Sequence, residues 1–112
     1  MAQITGKQRL ERLYKRLKKN YPDIDIRFTD ETLRFGDSEF VKFKVAYYVT
    51  VFDEKEIQVC DVIWSDGSYG YEDNLLEFYD GGEPEGYITE LRAYNLFKEH
   101  IEGELNGNNN RR

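Results

Sequence analysis

A chain of 112 residues fits one domain and is long enough to bury roughly 65% of its unfolded surface, so no staple is needed to hold a core. Hydrophobic residues at 39% and seventeen aromatics (nine Tyr, seven Phe, one Trp) exclude a disordered chain, and a single cysteine, Cys60, excludes an intrachain disulfide. Charged residues make up 34%, and the net charge of -6 is the wrong sign for a dedicated nucleic-acid binder.

The first element is a helix of about fifteen residues. Thr5 and Gln8 have capping-box spacing, and Leu10, Leu13, Tyr14 and Leu17 recur at three- and four-residue intervals to form one apolar face. Lys18 and Lys19 stand where the helix dipole favours cations, and Asn20-Tyr21-Pro22 ends the element. Ile24, Ile26 and Phe28 then alternate with Asp25 and Arg27, as in a half-buried strand. Leu33 and Phe35 mark a second short strand. If Thr29-Asp30-Glu31-Thr32 is the hairpin loop between them, Arg27 and Arg34 lie side by side.

Residues 41–52 are the strongest strand signal. Val41, Phe43, Val45, Tyr47, Val49 and Val51 share a face, while Lys42, Lys44, Ala46, Tyr48, Thr50 and Phe52 share the other. Twelve residues would span about 40 Å, which predicts a bend or bulge. With a loop over 53–56, Phe52 lies opposite Ile57, Val49 opposite Cys60, Tyr47 opposite Val62, Val45 opposite Trp64 and Asp61 opposite Tyr48. Asp66-Gly67 carries the two-residue hairpin signal, which sets Trp64 opposite Tyr69 and Val62 opposite Tyr71.

Leu75, Leu76, Phe78 and Tyr79 fit either a helical turn or an edge strand, and residues 81–86 form a loop. A helix over 87–103 is predicted to bury Ile88, Leu91, Tyr94, Phe97 and Ile101, and residues 106–112 are expected to be a disordered tail. The predicted fold class is α+β, with an N-terminal helix, an antiparallel meander sheet of four to five strands and a C-terminal helix in one domain over 1–105. The sheet's second face, with Ala46, Tyr48, Phe52, Val59 and Ile63, is partly apolar. It therefore calls for a cover, either a helix or another chain, so monomer and homodimer both stay open.

Catalytic signals are lacking. His100 is expected near solvent beside Glu99, and Cys60 falls on the buried strand face without a basic neighbour, as an inert core thiol would. There is no nucleophile elbow, phosphate loop, dinucleotide fingerprint or histidine-based zinc pair, so a non-enzymatic protein without metal or cofactor is expected. Asp66, Ser68, Gly70, Glu72 and Asp73 gather oxygens near one turn, but at a spacing that departs from a calcium-binding loop. The proposed pairing also sets Asp61 opposite Glu72, a like-charge pair that should fray the ladder.

Charge is split along the chain. Residues 1–19 hold Lys7, Arg9, Arg12, Lys15, Arg16, Lys18 and Lys19 against Glu11 alone, whereas residues 53–90 hold twelve carboxylates against Lys55. Within the acidic tract Asp66, Glu72, Asp73, Glu77, Asp80, Glu83 and Glu85 are interleaved with Tyr69, Tyr71, Phe78, Tyr79 and Tyr87. Fixed carboxylates can present a potential like that of duplex DNA, and the aromatics can anchor an interface. The partner-binding residues expected on this reading are the seven carboxylates with Tyr79 and Tyr87. The same acids would equally serve as a solvated face that keeps the domain soluble.

In size, charge split and absence of catalytic chemistry the chain resembles the small acidic proteins of phages and mobile elements that block host nucleases, anti-CRISPR and anti-restriction proteins among them. This is a likeness of build rather than of any motif, and it carries no residue over. It implies a non-enzymatic inhibitor that docks on a protein partner with a basic groove, such as a nuclease. The rival expectation is direct nucleic-acid contact through a basic patch of the seven helix-1 cations together with Arg27, Arg34, Lys42 and Lys44. A homo-oligomeric structural protein is the third. No run approaches the ~20 apolar residues of a membrane span and the N-terminus lacks a secretory signal's apolar stretch, so a cytoplasmic protein without membrane contact is expected.

Overall fold

The computed structural model describes residues 4–52 and 54–110, with side chains described through Leu105. Helix α1 (Gly6–Asn20) is followed by strands β1 (Asp25–Asp30), β2 (Leu33–Phe35), β3 (Ser38–Phe40), β4 (Lys42–Val51) and β5 (Lys55–Ser65). A 3-10 turn (Tyr71–Asp73), β6 (Leu76–Tyr79), β7 (Glu85–Ile88) and helix α2 (Glu90–Asn110) complete the chain. The fold is α+β: five antiparallel strands in the order β1-β4-β5-β6-β7, with the two helices sharing one core against the sheet. No helix among the described residues is long and apolar enough to cross a membrane.

Helix α1 forms for the local reasons its sequence carries. The Thr5 hydroxyl accepts from the Gln8 backbone amide at 3.1 Å, and the Gln8 side chain accepts from the Thr5 amide at 2.9 Å. Leu10, Leu13 and Leu17 are buried against Ile26, Val45, Tyr47, Cys60, Val62, Leu76 and Phe78, the inward-facing positions of the sheet. Helix α2 adds Ala93, Tyr94, Phe97 and Ile101.

Several pairings differ from those the sequence predicts, each for an identifiable reason. Residues 29–32 do not turn. The chain runs on from β1 through β2 and reverses at Gly36-Asp37, where Gly36 takes φ 61 as the first central residue of the turn. Asp30 opposite Phe43 and Leu33 opposite Phe40 keep one register, so β1–β2 and β3–β4 make a single long ribbon. At the join the Thr32 hydroxyl accepts from the Lys42 amide at 3.1 Å. Arg27 and Arg34 are therefore far apart along one ribbon, not side by side.

Between β4 and β5 the pairing is two residues away from the expected one: Val45 faces Val62, Tyr47 faces Cys60 and Phe43 faces Trp64. From Cys60 to Trp64 this two-residue shift leaves every side chain on its face, which is why alternation alone could not distinguish the two. The expected irregularity falls at Tyr47/Tyr48, where Val59 is the extra residue, and beyond it Val49 faces Ile57 and Val51 faces Lys55. The loop is thus shorter than predicted, and Phe52, at φ 43 and 87% exposed, sits at the tip instead of pairing with Ile57.

The largest correction follows β5. Gly67 turns at φ 85, but Asp66 does not share a positive φ, and its amide and carboxylate bind the Val41 carbonyl and amide at 2.8 and 2.7 Å. The 3-10 turn (Tyr71–Asp73) then intervenes, and the returning strand is β6, with Val62 opposite Phe78 and Asp61 opposite Tyr79. Neither Tyr69 nor Tyr71 pairs with β5 in a ladder, and Glu72 is not opposite Asp61. Tyr87 and Ile88 belong to β7, not to the last helix, which begins at Glu90 after Thr89 accepts from the Arg92 amide. Leu91, expected in the core, is exposed. The backbone of α2 is helical to Asn110, and Arg111 and Arg112 lie outside the described residues.

The second sheet face carries no helix, yet Ala46 is only 1% exposed. Long polar side chains cover it. The Arg27 guanidinium lies 4.0 Å from the Tyr48 ring and bonds Asp25 and Glu56; Lys42 and Lys44 pair with Glu31 at 3.2 and 3.4 Å; and Gln58 links Lys44, Tyr48 and Asp61. Val59 packs toward the core and Phe52 stands at the hairpin tip, so the apolar stripe that called for a covering chain is not assembled.

Asp61 lies within this lattice, and burial pushes its carboxyl above the usual range, opposed by Gln58 and the two lysines. A carboxyl whose folded pKa is raised favours folding at low pH and loses that contribution as pH rises through the folded pKa. Asp61→Asn is therefore expected to raise Tm at pH 7 by about 2 °C or more, with the gain vanishing below about pH 3, where both side chains are neutral. Calorimetry at the two pH values checks this. A loss at pH 7 would mean that the lysines outweigh burial.

Candidate functional site

The turn after β5 builds a hollow of about 240 Å³ whose lining includes Asp66, Tyr71, Glu72, Asp73 and Tyr87. Each wall has a local cause. The Ser68 hydroxyl donates to the Ser65 carbonyl at 2.7 Å and closes the first turn. Gly70, at φ 96, lets the chain pass so near β7 that an added Cβ would stand 3.1 Å from the Tyr87 backbone. Asn74, at φ 57, ends the 3-10 turn and ties it to the start of α1, its side-chain oxygen accepting from the Gly6 amide at 3.1 Å and its carbonyl from Arg9 Nε at 2.7 Å. The Tyr71 ring packs on Trp64 at 4.6 Å, and the Trp64 Nε1–H donates to the Tyr71 carbonyl at 3.0 Å. The hollow is thus rigidly mounted on the core.

Of the expected acidic site, Asp66, Glu72, Asp73 and Tyr87 come together here. Glu77 stands alongside, accepting from the Tyr69 amide at 2.7 Å. The others are dispersed. Asp80 accepts from the Gly82 amide at 3.1 Å and contacts His100 Nε2 at 3.0 Å, which together hold its carboxyl below the usual range. Glu85 is gripped by Arg92 at 2.7 and 2.9 Å and is likewise lowered. Glu83 is exposed at the β6–β7 turn, and Tyr79 is exposed on β6. Tyr71 stands in the wall and Tyr69, outside the lining, is exposed; neither takes the ladder position opposite β5 that the hairpin pairing predicts. The usable signal was a glycine on both sides of Tyr69 in Gly67-Ser68-Tyr69-Gly70, too dense for a strand.

The rival basic patch divides in two. On the sheet, Arg27 is bound to Asp25 and Glu56, Arg34 to Glu39 at 2.9 Å, and Lys42 and Lys44 to Glu31. On α1, Arg9 and Arg12 approach Glu90 at 3.8 and 3.6 Å, Arg16 covers the Tyr94 ring at 4.1 Å, Lys18 donates to the Ile24 carbonyl and Lys7 lies over Phe43, leaving Lys15 and Lys19 as its outermost cations.

Cys60 is buried, and burial pushes its thiol far above its usual value, which disfavours the nucleophilic thiolate. His100 is half-buried against the Phe78 ring and Asp80, not free in solvent. Among the described residues, no three His, Cys, Asp or Glu side chains are grouped to hold a metal ion. A hollow with acidic and aromatic walls can instead receive an ammonium or guanidinium group, which gains from both the carboxylates and the faces of the tyrosine rings. No family model, no curated protein and no solved structure matches the chain.

Proposed function

We infer that the protein is a non-enzymatic binding protein whose acidic wall over residues 66–90 docks on the basic groove of a nucleic-acid enzyme, as an inhibitor that stands in for nucleic acid. One observation carries this reading: the hollow gathers three carboxylates and two tyrosines in a stretch without a single Lys or Arg from residue 56 to residue 91. Such a field steers a cationic surface toward the wall, and a partner's Arg or Lys side chain entering the hollow fixes the orientation. Glu72 and Glu83 supply exposed charge, and Tyr87, exposed in the lining, supplies an aromatic anchor.

The test is capture of partners from a nuclease-treated lysate, followed by titration of the purified complex. Duplex DNA should compete for the captured enzyme. Glu72→Lys with Glu83→Lys should weaken binding by about tenfold or more and flatten its salt dependence. Binding that ignores both the substitutions and the DNA competitor would overturn the reading. So would direct retention of duplex DNA by the protein, lost on Lys15→Glu with Lys19→Glu, which would instead place the activity on α1.

A further inference from the structure

The opposite end of the molecule holds a second, larger concavity. Beyond the irregularity at Tyr47/Tyr48 the β4–β5 hairpin runs on toward its tip, and its inner side is left as a groove of about 690 Å³ against the far part of α2. The apolar lining comes from Ile24, Tyr47, Val49, Val51, Ile57 and Leu105. Ile57 is 42% exposed. The charged side chains of the lining are Asp23, Asp25 and Glu104; Asp25 is held by Arg27, so Asp23 and Glu104 give the rim its negative charge. Glu104 faces the floor closely enough for its charge to add to the burial that raises the Tyr47 hydroxyl pKa.

We propose that this groove binds an amphipathic segment of a partner protein, apolar on one side with Lys or Arg flanking its apolar residues. The volume lies in the range of roughly 300–1,000 Å³ typical of clefts that bury a ligand, and the floor and rim match the two faces of such a segment. A second copy of this chain fits less well. Its β2–β3 ribbon exposes Leu33, Phe35 and Phe40 but carries Asp37 and Glu39 against Arg34 alone, a net negative charge that would meet a carboxylate rim. The apolar side of the basic helix α1 is already buried in the core. This groove is separate from the hollow at the turn after β5, and the proposal does not depend on the function assigned to that hollow.

The experiment is fluorescence anisotropy of the full chain with three labelled synthetic peptides: a two-heptad Leu/Lys amphipathic helix, the same helix with Glu for Lys, and oligolysine. The Leu/Lys helix should bind at least about tenfold more tightly than either of the others. Ile57→Lys should abolish that preference and Glu104→Gln should weaken it, while Glu72→Lys, in the hollow, should leave it intact. Both groove positions are partly exposed, so the variants should keep the wild-type circular dichroism. Equal binding of oligolysine, or no loss with Ile57→Lys, would overturn the proposal. One other occupant would also overturn it: a concentration-dependent dimer that Ile57→Lys dissolves.

Discussion

Replacing Gly6 by alanine is expected to destabilise the protein by about 2–3 kcal/mol, although alanine is the better helix former. Gly6 is the first residue of α1 and is buried on the face of the Trp64 indole, where an added Cβ would stand 2.1 to 2.3 Å from Cδ1, Cγ and Nε1. The ring has little freedom to retreat. Tyr71 packs on one side at 4.6 Å, Phe43 stacks at 6.3 Å, and Nε1–H is held by the Tyr71 carbonyl. Relief must come from moving the helix start, which would strain the bond from the Gly6 amide to Asn74 and so loosen the floor of the hollow. The propensity gain of up to about 1 kcal/mol is smaller than this overpacking cost, so the clash wins. Urea unfolding should show a midpoint lower by about 1 M or more, with altered tryptophan fluorescence. Gly103 is the control: it is helical and open, with nothing within 4 Å of an added Cβ, and Gly103→Ala should stabilise by about 0.5–1 kcal/mol. If both substitutions stabilise, helix α1 does not rest on the indole.

Phe97→Ala should cost more, about 3–5 kcal/mol, from a total stability of about 5–15 kcal/mol for a domain of this kind. Phe97 is fully buried, meets the Phe78 ring edge-on at 6.0 Å, and with Ala93 and Ile101 forms the seam that holds α2 on the sheet. Truncation removes the largest side chain of that seam and leaves a cavity between two elements that cannot close without shifting the helix. Scanning calorimetry should show Tm lower by about 10 °C or more. A loss below about 1 kcal/mol would mean that α2 contributes little to the folded core.

The acidic region was legible in part. The absence of Lys and Arg from 56 to 91 is a property of the chain order, and so is the alternation of acids with tyrosines. That Asp66, Glu72 and Asp73 would face one hollow depends instead on backbone reversals at Gly67, Gly70 and Asn74, while Asp80 and Glu85 are claimed by His100 and Arg92, 20 and 7 residues away in sequence. Counting charges along the chain could not anticipate those partners, because an ion pair is set by distance in space.

Helix α1 was determined by the amino-acid sequence alone, since its cap, its apolar spacing and its terminal cations all act within four residues of one another. The inward face of β4, and of β5 from Cys60 onward, was determined in the same way, because side-chain alternation is a local property of an extended chain, whereas the irregularity at Val59 brought Ile57 onto the inward side. Which strands pair, and in what register, was decided by tertiary structure: a shift of two residues preserves every face, so burial alone leaves several registers equivalent and the turns must select among them. Gly36, and not residues 29–32, turned the first ribbon, and Gly70 diverted the chain after β5 so that Phe78, not Tyr71, came to lie opposite Val62.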